Sequence, residues 1–242
     1  MKQRLDIALF ERGFFDSREK ARRAIMAGLV KVDSLPSPKP GTPVGPDAVI
    51  TVAGREKYVG RGGLKLEAAL DAFAIDPSGM VCLDVGASTG GFTDCLLQRG
   101  AARVHAIDVG HGQLAWSIRE DPRVVVREGV NARHLDAASA GGDGFALAVI
   151  DVSFISLTLI LPPVFALLVP EASVIALIKP QFELTPDRVG KGGVVRDPGA
   201  RLAARDKICD FATAAGHAWL GCIDSPVPGR EGNVEFLARI GK

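Results

Sequence analysis

The stretch from Val81 to Asp94, Val-Cys-Leu-Asp-Val-Gly-Ala-Ser-Thr-Gly-Gly-Phe-Thr-Asp, constrains the fold more than any other part of the chain. An apolar run closes on Asp84 and Val85, a glycine-rich turn follows, and the next residues read as the start of a helix. A strand that passes into a helix through such a turn presents unpaired backbone N–H groups to a ligand. Gly86, Gly90 and Gly91 have no Cβ, so the chain can turn tightly and a ligand can come close to it.

The surrounding residues narrow the ligand. A dinucleotide fingerprint, G-x-G-x-x-G, needs a glycine where this chain has Ser88. No Gly-Lys-Ser/Thr follows the turn, so a phosphate-cradling loop is excluded. Asp84, at the strand end, would repel a pyrophosphate but suits a ligand with a cationic amine. Asp108 ends the next strand pattern, where a carboxylate can accept hydrogen bonds from two ribose hydroxyls. Asn131, after the third strand pattern, could bond an adenine amine. Asp84, Asp108 and the missing phosphate motifs together favour S-adenosylmethionine. In the plainer readings Asp84 caps the helix, Asp108 caps a turn, and Asn131 sits in a turn because turns favour asparagine.

From residue 81 onward strand and helix patterns alternate, which implies a mostly parallel, doubly wound sheet. Strands are expected at Val81–Val85, Arg103–Asp108, Val124–Glu128, Phe145–Asp151, Ser173–Ile178, Trp219–Ile223 and Val234–Ile240. Helices are expected near Gly91–Arg99, Gly112–Glu120, Leu157–Leu168 and Pro198–Ala215. Lys179 to Asp197 reads as a long loop, the usual form of a lid or substrate loop. Asp151 and Lys179 each close an apolar strand, and charges there need partners. A salt bridge between neighbouring strands is the plain reading for that pair, and an outward solvent position is the plain reading for Glu235.

The net charge of +1 hides an asymmetry. Residues 1–65 carry 13 Lys/Arg against 7 Asp/Glu, and residues 66–242 carry 16 against 21. A basic head on an acidic body suggests a polyanion-binding appendage. In the head, helical spacing at Leu5, Leu9 and Phe10 is followed by a second helix capped by Asp16 or Ser17, and then by short strands near Leu29–Val32 and Val49–Val52. The four cysteines show no CxxC spacing, so neither a metal cluster nor a disulfide framework is expected. There is no apolar signal region at Met1–Asp6, and the low-charge stretch Phe145–Val169 is broken by Asp151 and Pro162-Pro163. A cytoplasmic protein without stable membrane association is therefore expected; the residues leave its oligomeric state open.

The head resembles the small RNA-binding domain named after ribosomal protein S-four. The shared signals are Arg4-Leu5-Asp6, Gly13, Ser17-Arg18, Ala21, Ile25, Gly28, Val30, Val32 and Lys39-Pro40-Gly41; Asp33-Ser34-Leu35 stands where members often have a glycine-bearing turn. Asp84 to Thr93, taken with Lys65, Asp151, Lys179 and Glu235, resembles the Lys-Asp-Lys-Glu tetrad of FtsJ-type ribose 2′-O-methyltransferases. The combination, with Arg61-Gly-Gly-Leu-Lys-Leu between the parts, Asp151-Val-Ser-Phe-Ile-Ser-Leu and Lys179-Pro-Gln-Phe-Glu, resembles the TlyA family. Members of that family modify ribosomal RNA and sometimes carry the label haemolysin. Tyr58 keeps an aromatic where some members have tryptophan.

The resemblance implies an α/β fold. A Rossmann-like class I methyltransferase domain with a mostly parallel seven-stranded sheet spans residues 65–242, a linker spans 56–64, and a small α+β RNA-binding domain spans 1–55. It implies S-adenosylmethionine as cofactor, held by Asp84, Gly86, Ser88, Gly90, Gly91, Phe92, Asp108, Asn131 and Asp151. Ribosomal RNA or a ribosomal subunit is the implied partner, touched by Arg4, Arg18, Lys20, Arg22, Arg23 and Arg61, with a cytidine ribose as the acceptor. Lys179 is the implied general base, which must be neutral to act, whereas a free lysine titrates near ~10.4. Lys65 would supply a positive charge that favours the neutral form, Asp151 would orient Lys179, and Glu235 would orient Lys65 or the ribose. Lys65 lies near a helix start, where a cation opposes the macrodipole, which already hints at such a use. The competing readings are a membrane-active haemolysin, a non-catalytic RNA-binding protein and a small-molecule methyltransferase.

Overall fold

The structure is a computed structural model, and it describes residues 2–15, 17–33, 38–54 and 57–242, the side chain of Arg230 excepted. Asp16, the Ser34–Leu35 turn and Glu56 lie outside the described residues. The chain divides into two compact units, Met1–Glu56 and Lys57–Lys242.

In the small unit, β1 (Gln3–Arg4) leads into helix α1 (Leu5–Glu11), and Ser17 caps helix α2 (Arg18–Met26) by accepting from the Lys20 N–H at 3.3 Å. Strand β2 (Val30–Val32) pairs antiparallel with β4 (Ile50–Val52), and β1 pairs antiparallel with β3 (Pro43–Val44). Leu5, Leu9, Ala21, Ile25, Val30, Val32, Val44 and Ile50 close the core. The helical and strand periodicities of the head converge on this one cluster, which supplies most of its stability.

Arg4 and Arg18 have a structural task. Asp6 is fully buried in the first turn of α1. Its carboxylate accepts from Arg4 Nε at 3.0 Å and from Arg18 Nε at 3.0 Å. These bonds hold its carboxyl down at about 2, with the Arg4 hydrogen bond as the largest cause and burial opposing it.

In the large unit the sheet strands are β5 (Val81–Val85), β6 (Arg103–Asp108), β7 (Val124–Glu128), β8 (Phe145–Ile150), β9 (Leu168–Ile178), β10 (Ala218–Asp224) and β11 (Phe236–Gly241). Their order is β10-β11-β9-β8-β5-β6-β7; β11 runs antiparallel to both neighbours and the remaining pairs are parallel. This is the expected seven-stranded, mostly parallel α/β sheet. Alternate residues of each strand enter separate cores, with Leu83 and Val85 on one face and Cys82 on the other. The chain runs outward from β5 to β7 and returns at β8, so the topological switch point lies between β5 and β8. Open α/β sheets bind ligands outside the carboxyl ends at that point.

Several elements differ from expectation. The helix at Gly112–Glu120 shrinks to α5 (Trp116–Arg119), because the Gly110 N–H bonds Asp108 and the Gly112 N–H bonds Glu128, which commits that backbone to a loop. Helix α6 (Ala137–Ala140) precedes β8, and Leu157–Leu168 becomes a 3-10 turn at Leu157–Leu159 and helix α7 (Leu161–Ala166), with Pro162-Pro163 in the first turn, where a missing N–H is tolerated. Strand β9 begins early, at Leu168, through a bulge against β8. The stretch after β9 holds helix α8 (Pro180–Glu183) and two 3-10 turns. At the junction, helix α3 (Gly62–Ala72) starts at once, and a Cβ on Gly63 would collide with the buried Tyr58 ring. The glycines there serve close packing.

Replacing Asp6 with Asn should cost the small unit about 1–2 kcal/mol at neutral pH, a figure reduced for the half-exposed arginines. The folded carboxyl titrates below the unfolded one, so the wild-type advantage is present above pH 3.8 and is lost as pH falls through about 2. Hydrogen exchange of residues 3–52 in the full chain should show faster opening in the variant, and the difference should narrow in acid.

Candidate active site

A cavity of about 540 Å³ opens at the carboxyl ends of β5, β6, β8 and β9. Lys65, Gly86, Ser88, Gly91, Phe92, Asp108, Asn131, Asp151, Lys179 and Glu235 line it together. Asp84, Gly90 and Arg61 are not among the lining residues.

The glycine turn forms a shallow cradle. Gly86 has φ 88°, and a Cβ there would run into the Asp151 carbonyl of the neighbouring strand end. Only glycine combines that backbone conformation with that approach. A Cβ on Gly91, the first residue of helix α4 (Gly91–Gln98), would lie 3.0 Å from the Gly60 carbonyl oxygen. Gly90 faces the opposite way; a Cβ there would meet Leu114 at 2.9 Å, so this glycine serves packing and not the cavity wall. Ser88 takes a left-handed conformation, φ 48°.

Asp108 accepts from the Ser88 N–H and from the Gly110 N–H, both at 2.7 Å. The turn-capping reading is therefore present, and it points the carboxylate into the cavity wall. Asn131 likewise caps, its Oδ1 accepting from the Arg133 N–H at 3.0 Å. Asp84 is completely buried; one oxygen accepts from Thr93 Oγ1 at 2.5 Å and the other has no partner among the described residues. Thr93 follows the turn on α4, so Asp84 ties the strand end to the helix it feeds. Burial pushes the Asp84 carboxyl up to about 7, with Thr93 opposing and Asp151 adding to the rise.

The four ionisable residues form two pairs. Lys65 Nζ meets Glu235 Oε2 at 2.5 Å, and Lys179 Nζ meets Asp151 Oδ1 at 2.6 Å. Glu235 is buried, with its side chain 2% exposed, and precedes β11, which corrects the outward strand position expected for it. Lys65 sits in the first turn of α3, where Glu235 offsets its unfavourable place against the helix dipole. The charge of Lys65 is thus compensated directly and is not a bare cation beside Lys179. Lys179 Nζ also donates to Ser153 Oγ at 3.0 Å, so the bridge to the adjacent strand end, Asp151, is only part of its environment.

Residue spacing did not single out Ser153, Phe154 or Glu183. Phe154 is 88% exposed, has φ 65°, and tilts against Phe182 with ring centroids 5.0 Å apart. Glu183 is buried and accepts from Ser156 Oγ at 2.5 Å, from the Leu157 N–H at 2.8 Å and from Lys207 Nζ at 2.9 Å. The signal was the pair of short motifs that hold these residues, Asp151 to Leu157 and Lys179 to Glu183, whose inner positions look like ordinary loop and helix.

The residues present fit S-adenosylmethionine. Asp108, Asp151 and Glu235 line the cavity against Lys65 and Lys179, so acidic side chains outnumber basic ones there, and the unpaired Asp84 oxygen lies at the switch point. Such a wall suits a cationic ligand and opposes a pyrophosphate. Among the described residues no group of His, Cys, Asp and Glu could hold a metal ion.

Comparisons with known proteins agree with this geometry. The FtsJ-like methyltransferase family matches residues 58–242, and the S4 domain matches residues 3–50. The 16S/23S rRNA (cytidine-2′-O)-methyltransferase TlyA of Mycobacterium tuberculosis is 47% identical over 238 residues, 98% of this chain and 88% of that protein. This chain belongs to the TlyA family of FtsJ-like methyltransferases. Hemolysin A of Brachyspira hyodysenteriae is 41% identical over 97% of this chain and 98% of its own length. A Streptococcus thermophilus structure under a hemolysin name superposes with TM-score 0.75 at 42% identity, covering 100% of this chain and 88% of that one. The N-methyltransferase NodS of Bradyrhizobium japonicum shares the fold alone, with TM-score 0.51 at 14% identity over 75% of this chain and 94% of that one.

The raised Asp84 carboxyl gives a stability test for this TlyA-family site. Between pH 3.8 and about 7 the unfolded carboxyl ionises before the folded one, so wild-type stability falls as pH rises through that window. Asp84→Asn removes this titration. The melting temperature of the variant relative to wild type should rise between pH 5 and pH 8 when both are measured without ligand.

Proposed function

We propose that this protein transfers a methyl group from S-adenosylmethionine to the ribose 2′-hydroxyl of a cytidine in ribosomal RNA, with Lys179 as the proton acceptor. The observation that carries the reading is the meeting of the Lys179–Asp151 and Lys65–Glu235 pairs in one cavity with the glycine cradle of the β5 turn. The name carried by the Mycobacterium tuberculosis relative supports the reaction and the acceptor. The S4 domain match supports RNA as the partner.

Gly86, Ser88, Gly91, Phe92, Asp108 and Asn131 would hold the donor along the cradle, and Asp84 would answer its cationic amine from behind the turn. S-adenosylmethionine, when bound, supplies an electrophilic methyl group on a sulfonium centre. Lys179 takes the proton of the 2′-hydroxyl, so the oxygen keeps the electron pair with which it bonds the methyl carbon. Asp151 holds the resulting ammonium as an ion pair, and the half-buried setting of both groups strengthens that attraction over its value in water. Lys65, fixed by Glu235, would stand beside the acceptor ribose and help to orient it. Positioning of the two reactants is the main catalytic contribution, because transfer in line needs little from acid or metal.

Arg22, Arg23 and Arg61 are exposed and are the proposed phosphate contacts, together with Lys20 and the outer faces of Arg4 and Arg18. The cytoplasm, where ribosomal RNA is found, is the proposed place of action. No helix among the described residues is long and apolar enough to cross a membrane, so the hemolysin name of the Brachyspira hyodysenteriae relative gains no support from a spanning helix.

Lys179→Ala should lower labelled methyl transfer to ribosomal RNA by about a hundredfold or more, while the affinity for S-adenosylhomocysteine stays within about threefold of wild type. Full transfer by this variant would overturn the assignment. Mapping of ribose 2′-O-methyl positions identifies the nucleotide.

A further inference from the structure

We infer that Ser153 is a positioning residue that aims the Lys179 amine, whereas Asp151 supplies charge without aiming it. The inference rests on the reading of Lys179 as proton acceptor. Among the described residues, the one directed hydrogen bond that Lys179 Nζ makes is to Ser153 Oγ, at 3.0 Å. Asp151 Oδ1 is closer, at 2.6 Å, but its approach lies outside hydrogen-bond geometry. A Coulombic contact depends on distance and hardly on direction, whereas a hydrogen bond weakens steeply off axis.

The difference matters for a neutral amine. Its nitrogen carries two N–H bonds and one lone pair, and rotation about Cε–Nζ decides where the lone pair points. One N–H held by Ser153 Oγ stops that rotation. The lone pair then receives the 2′-hydroxyl proton: the ribose O–H bond breaks, an N–H bond forms, and the electron pair stays on oxygen for the methyl carbon. The new ammonium keeps the Ser153 bond and gains full attraction to Asp151.

Ser153 is exposed and lies on a loop, so its position must come from elsewhere. The Asp151 N–H bonds the Val85 carbonyl at 2.9 Å at one end of the loop. At the other end Glu183 accepts from Ser156 Oγ and from the Leu157 N–H. Glu183 itself is held by Lys207, which donates to its carboxylate at 2.9 Å and to its backbone carbonyl at 2.8 Å. Because Glu183 lies in α8, directly after Lys179, one clamp fixes both the serine loop and the lysine. Phe154, next to Ser153, is held at φ 65°, a conformation that a phenylalanine keeps only where the surroundings over-determine it.

The test compares Ser153→Val with Ser153→Thr in the full chain, two side chains of nearly equal shape that differ in the hydroxyl. Ser153→Val should lower kcat roughly tenfold or more, with the RNA KM and the S-adenosylhomocysteine affinity measured by calorimetry each within about threefold of wild type. Ser153→Thr should recover most of that loss. Ser153→Ala, which adds no branch to the loop, should behave as Ser153→Val. Equal activity of the Val and Thr variants, high or low, would show that the hydroxyl does not matter and would overturn the inference. Lys179→Ala is run in the same assay. If it is inactive while Ser153→Val works at the wild-type rate, only the role of Ser153 falls; if Lys179→Ala is active, the proton-acceptor reading falls with it.

Discussion

The buried contact between Lys65 and Glu235 is the constraint on which the large unit depends. It joins the first turn of the leading helix to the residue before the last strand, 170 positions away in sequence. Two charges removed from water cost several kcal/mol each, and only each other's field and close geometry offset that cost. Losing one partner would strand the other in a setting that cannot solvate it. The pair therefore makes helix α3 and strand β11 commit together, and both flank the cavity built from the central strands. The second pair, Lys179 with Asp151, is shorter in sequence and spans neighbouring strand ends. It lies beside the switch point, in the wall of the cavity.

Much of this was legible in the residues. The strands from Val81 to Ile178 could be read because apolar runs closed on charged residues, and a parallel sheet buried on both faces leaves that trace. The glycine turn and Asp108 fell where the cavity lies. What periodicity could not give was direction. Glu235 has the sequence setting of a solvent-facing strand residue, and its inward turn depends on Lys65, a partner that no local window contains. Gly90 belongs to the same motif as Gly86 and Gly91, yet it packs on Leu114 and leaves the cavity wall to them. Glu183 and Lys207 were invisible for a related reason: each looks like an ordinary helix charge, and only tertiary contact shows that they hold one loop together.

The polar side chains around the cavity divide by what answers their oxygens. The Asp108 carboxylate and the Asn131 amide oxygen each accept from backbone N–H groups, which fixes these side chains at the cavity rim. Asp84 keeps one oxygen open in a dry setting, and Asp151 and Glu235 are answered by lysines. Carboxylates at this site thus sit in three settings, sorted by partner rather than by residue type. The hemolysin and methyltransferase names attached to relatives describe proteins of one family, and the arrangement of these charges speaks to the second name.

In the small unit, Arg4 and Arg18 neutralise Asp6 with one edge of each guanidinium and leave about half of each side chain in water. The same two cations are thus claimed from inside by the fold and, on the proposed reading, from outside by a phosphate backbone. An arginine drawn fully outward would leave a buried carboxylate short of counter-charge. The pull of polyanions on this face therefore has an upper limit set within the domain itself. That limit favours release as well as capture, a useful property in a catalyst that must leave each modified RNA before meeting the next.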